Sequence, residues 1–124
     1  MAAEFASVMK KCIFTLCVYY KDEGYSIYIG YLSVANFAYI LRKIPKDQLY
    51  QLIHKLTTLF NIVSNDEYQI NKATELSAND FEDALQYEAA ITSNCECIIS
   101  RNEKDFKFSK IPVMSFKTFS ERYL

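Results

Sequence analysis

The chain has 124 residues, 51% of them hydrophobic, with 14 Lys or Arg against 15 Asp or Glu. That length and composition suit one globular domain, which buries roughly two-thirds of its unfolded surface, and argue against disorder and against a need for disulfide staples. No apolar run reaches the ~18 residues a membrane helix requires, and Lys10 and Lys11 follow the first apolar stretch instead of preceding it, so the start does not read as a secretory leader.

Residues 1–24 are ambiguous. Phe5, Val8, Met9, Cys12, Ile13, Leu16 and Tyr20 fit one helix face, yet residues 13–20 also form a continuous apolar run before the turn-like Lys21-Asp22-Glu23-Gly24. Periodicity cannot decide such a run. A helix over residues 2–19 is the preferred reading, with a strand over 13–20 as the alternative. Tyr25 to Tyr31 reads as a buried strand. Ser33 is placed to cap a helix over 34–43, which stops at Pro45. A second helix starts at Asp47, with apolar residues at Leu49, Leu52, Ile53, Leu56, Leu59 and Phe60 at helical spacing. Next come an extended piece at Ile62 and Val63, a helix over 66–76, and a helix over 81–93. A strand over 97–100, another over 112–114 and a closing helix over 116–123 complete the chain. Helices alternating with short apolar strands imply a single α/β domain over 1–124, a three-layer α/β/α sandwich around a short, mostly parallel sheet.

The cysteines at 12, 17, 95 and 97 have no metal-ligand spacing. They read as reduced thiols of a cytoplasmic protein, with Cys95 and Cys97 on one face of a strand. His54 lies off the apolar face of its helix and reads as solvent-facing. Most of the ten Tyr and nine Phe fall on core periodicities, so packing explains them better than base stacking.

Charge is unevenly spread. Residues 1–61 carry a balance of +3, residues 62–98 of −7, and residues 101–124 of +3. An acidic patch between basic segments suits a cation site beside a phosphate backbone, although solvated helix faces give the same pattern.

Two segments could carry chemistry. Asn79-Asp80-Phe81-Glu82-Asp83 is an acidic helix start, where capping and the helix dipole explain Asp80 and Asp83 better than a metal site does on this segment alone. Ser100-Arg101-Asn102-Glu103-Lys104-Asp105-Phe106 follows a strand at its C-terminal end, where open α/β sheets build sites. Asn102 and Asp105 offer oxygens for a hard cation, and Arg101 or Lys104 could meet phosphate.

These two segments together resemble the C-terminal half of a PIN domain, the small metal-dependent ribonuclease fold of many bacterial toxins. Asp83-Ala84-Leu85-Gln86-Tyr87-Glu88-Ala89-Ala90 resembles a DALIAA-like motif that carries the family's third acid. Residues 100–106, SRNEKDF, resemble the TRNxxDF-like motif that carries the fourth. Ile29 to Leu41 resembles the segment ISxLTxAELxxxL, with Asn36 where the family has its second acid. Nothing resembles the LDTN-like strand end that holds the first.

The resemblance implies a PIN-like fold that is N-terminally incomplete, with extra residues around Cys12 to Tyr20 and a gap at the centre of its sheet. A partner copy in a homodimer, or residues 13–20 themselves, would have to fill that gap. The resemblance also implies Mg²⁺- or Mn²⁺-dependent hydrolysis of RNA, as in the toxin of a toxin–antitoxin pair, weak or absent here because the metal would be weakly held. Asp83, Asp105 and Asn36 would be the catalytic set. Asp83, Asp105 and Asn102 would be metal ligands, and Ser100, Arg101 and Lys104 would face RNA. The implied partners are RNA, an antitoxin-like protein and a second copy of the chain. The competing reading is a non-catalytic domain that binds RNA or protein.

Overall fold

The computed structural model describes residues 16–21 and 24–123. Among the described residues are five strands: β1 (Leu16–Lys21), β2 (Gly24–Gly30), β3 (Asn61–Val63), β4 (Cys97–Ile99) and β5 (Val113–Met114). Five helices accompany them among the described residues: α1 (Tyr31–Ile40), α2 (Lys46–Leu59), α3 (Glu67–Ala73), α4 (Phe81–Thr92) and α5 (Phe116–Tyr123), with a 3₁₀ turn at Glu103–Phe106. The strands form one sheet in the order β3-β2-β1-β4-β5.

The β2–β3 and β4–β5 pairs are parallel, whereas β1 runs antiparallel to both its neighbours. Four strands therefore point one way and the central one opposes them. Four of the five strands share a direction, as the alternation of elements predicts, while two of the four ladders are antiparallel.

Residues 16–21 thus correct the preferred N-terminal reading, because they form a strand and not the end of a helix. The remainder of that helix, residues 2–15, lies outside the described residues. A run apolar at successive positions is what a strand covered on both faces needs; β1 lies between two neighbouring strands, and its Val18 is buried. It also fills the centre of the sheet, where a gap was expected. The sheet itself therefore makes no demand for a second copy.

Side-chain alternation divides the core into the two faces of the sheet. Val18, Ile29, Cys97, Ile99 and Met114 pack with Leu56 and Phe60 of the α2 end and Phe119 of α5 on one face. Ile98 packs with Tyr87 and Ala90 of α4, Cys95 and Phe106 on the other. The result is the expected three-layer α/β/α arrangement. It also corrects the placement of the thiols. Cys95 precedes β4, after Asn94 at φ 57°, and joins the opposite face from Cys97. Both are buried. Burial, with smaller contributions from Cys95 and Glu96, pushes the Cys97 thiol up to about 11.

Helix boundaries follow local chemistry. α1 starts straight from β2 at Gly30, so Ser33 is not its cap but a buried residue of its first turn. Pro45 precedes α2, where its fixed φ and missing N–H cost nothing. In α2, Leu49, Leu56 and the following Phe60 are buried as predicted, while Leu52 is 41% exposed. Asp66 caps α3 by accepting from the Gln69 N–H at 2.8 Å. Asp80 caps α4 by accepting from the Glu82 N–H at 2.8 Å.

Candidate active site

The C-terminal ends of β2 and β4 open onto one edge of the sheet, and both candidate motifs lie there. α1 leaves β2 directly and carries Asn36. Beyond β4, the buried Ser100 donates its N–H to the Met114 carbonyl at 3.0 Å and accepts the Asn102 N–H on its Oγ at 3.1 Å. The Asp105 N–H then bonds the Asn102 carbonyl at 3.0 Å, closing the 3₁₀ turn. Phe106, 2% exposed, pins this turn into the core, so its neighbour Asp105 is held at the surface. That is the physical sense of an acid followed by a large apolar residue. Arg101, Asn102, Glu103, Lys104 and Asp105 line one shallow depression. Lys104 and Asp105 border a second with Ser77 and Asn79. Asn79 immediately precedes the Asp80 cap, so the turn after β4 and the start of α4 meet there.

Asp83 sits in the first turn of α4, partly buried. Burial is the largest cause of its raised pKa, followed by the charges of Asp80, Asp105 and Glu82, and together they push it up to about 6. The influence of Asp105 connects the two motifs electrostatically. Both carboxylates thus belong to one region of negative potential, which favours a cation.

Asn36 lies on α1. Its amide donates to Glu82 Oε1 at 2.9 Å. One turn away, the Gln86 amide lies 3.4 Å from Ser33 Oγ, and the buried Gln86 Oε1 has no hydrogen-bond partner. α1 and α4 are thus bridged by two polar rungs, Asn36–Glu82 and Ser33–Gln86. Sequence reasoning missed Glu82, Gln86 and Ser33 as members of this region. The available signal was spacing: Ser33 and Asn36 lie three apart on α1, Glu82 and Gln86 four apart on α4, and each pair shares a helix face.

Among the described residues, no three His, Cys, Asp or Glu side chains gather as a metal-binding group. Arg101 and Lys104 are exposed beside Asp105. His54 is exposed on α2, in a shallow groove with Asp47, Tyr50 and Lys55, away from both motifs in sequence. No helix among the described residues is long and apolar enough to cross a membrane.

No curated protein and no solved structure matches the chain. A profile of the PIN domain family, whose members are generally nucleases that use divalent metal ions, matches residues 8–104. The matched span includes β1. With an α/β sheet covered on both faces and an acidic motif at each of two elements on one edge, the chain belongs to the PIN domain family.

Proposed function

We propose that this chain is a divergent PIN domain of ribonuclease descent with weak or no cleavage activity, in the manner of a toxin domain that has lost part of its acid set. Asp83 and Asp105 are the proposed ligands of a loosely held Mg²⁺ or Mn²⁺, with Asn102 and Asn36 as neutral oxygen donors. The observation that carries this reading is the position of Asp83, raised by burial and surrounded by Asp80, Asp105 and Glu82. A cation relieves that crowding of charge.

When bound, the ion contributes Lewis-acid activation of water and neutralises charge at the phosphate. The chain's own residues bind and orient. Asp83, at the start of α4, and Asp105, in the turn after β4, would hold the ion. Arg101 and Lys104 meet phosphate oxygens. Ser100 holds the loop in register through its bond from the Asn102 N–H. The Asn36 amide engages Glu82 and so brings no charge of its own to the ion. With few carboxylates the ion is easily lost, because Mg²⁺ dehydrates reluctantly. An antitoxin-like protein and a second copy of the chain are the proposed protein partners, and the cytoplasm the proposed location.

The test is incubation of the purified chain with a mixed RNA pool in Mn²⁺ or Mg²⁺, beside an Asp83→Asn variant. Cleavage at or near background is expected for both. Robust cleavage lost in the variant would show a competent nuclease. The second reading, a domain that binds RNA without cutting it, is favoured by the engagement of Asn36 with Glu82.

A further inference from the structure

Tyrosines read as core residues in the sequence, yet among the described residues six are exposed and three of these are more than half exposed. Tyr39 is 66% exposed, Tyr50 58% and Tyr68 65%. Each has a cation over its ring. The Arg42 guanidinium lies 4.1 Å from the Tyr39 ring centroid, the Lys46 ammonium 5.3 Å from Tyr50, and the Lys72 ammonium 5.8 Å from Tyr68. The first two pairs fall on one feature, the elbow that joins the end of α1 to the start of α2 through Pro45. Arg42 is fixed there, since its Nη1 donates to the Tyr39 carbonyl at 2.9 Å. Lys43 is exposed between the two pairs, and Asp47 is the one acid in the stretch from 39 to 50. The elbow is therefore net positive and presents two large rings that contribute little to the core.

Its position is informative. Tyr39 follows Asn36 by one turn of α1, about 4.5 Å along the axis, and residues three apart lie on neighbouring lines of a helix. Asn36 bonds Glu82 at the acidic centre. One helix thus carries a link to the acids and, one turn on, an aromatic and basic surface. The acids repel phosphate, so a nucleic acid strand approaching this edge needs an anchor beside them that does not.

We infer that the α1–α2 elbow is a binding surface for single-stranded RNA. The rings of Tyr39 and Tyr50 stack on bases, and Arg42, Lys43 and Lys46 take the phosphates. A cation beside an exposed ring supplies both halves of the recognition of a single strand, a π-face and a charge, without reading sequence. Duplex RNA hides its base faces and has only the charges to engage. The net positive charge favours an anionic strand over an apolar peptide. This inference takes from the reading above only that RNA is the ligand, and the elbow binds whether or not the acids cut.

The experiment is fluorescence anisotropy with labelled single-stranded RNA of about twelve nucleotides, a uridine homopolymer and a mixed sequence, in EDTA so that no metal chemistry enters. Both RNAs should bind, and a duplex of the same length more weakly. Tyr39→Ala and Tyr50→Ala should each weaken binding roughly tenfold. The double variant Arg42→Gln, Lys46→Gln should lower the slope of log affinity against log salt by about 1.4, at about 0.7 per cation for a single strand. Tyr68→Ala removes the same kind of pair from α3 and should change affinity by less than about twofold. Unchanged circular dichroism melts would show that the exposed substitutions leave the fold intact. Absence of binding by the wild type would overturn the inference, as would equal losses in Tyr68→Ala and the elbow variants. Self-association lost in Tyr39→Ala with RNA binding unaffected would assign the elbow to a protein and overturn it too. Normal binding without cleavage would leave the elbow standing while the nuclease reading fails.

Discussion

Asp83 combines two unfavourable conditions for a carboxylate, partial burial and three neighbouring acids. Its pKa is raised from 3.8 to about 6 in the folded chain. Below pH 4 it is protonated in both folded and unfolded chains and adds nothing against folding. As pH rises from about 4 to about 6 the unfolded chain gives up the proton first, so stability falls across that window, and above it the folded chain carries the full penalty. Asp83→Asn should therefore be more stable than wild type at pH 7. The full linkage is discounted to about 1 kcal/mol because the group is partly solvated. The difference should vanish near pH 4. Urea unfolding at the two pH values checks this, and Mg²⁺ should stabilise the wild type at pH 7 but not the variant. A variant equal to wild type at both pH values would mean that water already screens Asp83. Cys97 shows burial as the largest cause, with Cys95 and Glu96 adding to it, on a group outside both motifs. Its thiol is held up near 11, far from reactivity at neutral pH.

At the scale of elements, the C-terminal half was legible because its signals are local. Asp80 caps a helix from its own sequence neighbourhood, and Phe106 buries itself one residue after the acid it fixes. The pairing of Asn36 with Glu82 was not legible, since it joins helices 46 residues apart. β1 was unreadable for a related reason. Its apolar run fits a helix face and a doubly covered strand equally. What decides is its pairing with β4 near the other end of the chain, Leu16 opposite Ile99 and Val18 opposite Cys97. Val18 is 3% exposed inside that ladder. Val18→Ala should cost about 2 kcal/mol, from lost apolar burial and the cavity left behind. Leu52→Ala, on the part of α2 that periodicity assigned to the core, should cost no more than about 0.5 kcal/mol because the side chain is 41% exposed. Chemical denaturation of the two variants separates a strand of the central sheet from a mere surface hairpin. Equal, small effects would mean that β1 contributes little to the core.

At the scale of the molecule, β1 runs against the other four strands. The other four strands end at the edge where Ser100, Asp105 and the start of α1 lie. β1 brings its first residue there, with Leu16 opposite Ile29 and Ile99, and its last, Lys21, opposite Gly24 at the far edge. The same strand is paired on both sides, which supplies from within the chain the cover that a partner copy was expected to supply. Folding should consequently be independent of association. If a second copy completed the fold, a hundredfold rise in concentration would stabilise it by about 2.7 kcal/mol. For a domain of this size that corresponds to an increase of about 10 °C in the unfolding midpoint. A self-sufficient sheet should shift by less than about 2 °C. Thermal melts at two concentrations a hundredfold apart, with light scattering at each, distinguish the two. A midpoint that climbs with concentration would mean that the partner contributes to the fold itself. A constant midpoint would restrict any self-association to surfaces such as exposed Tyr39, Ile40 and Tyr50, which fold without it.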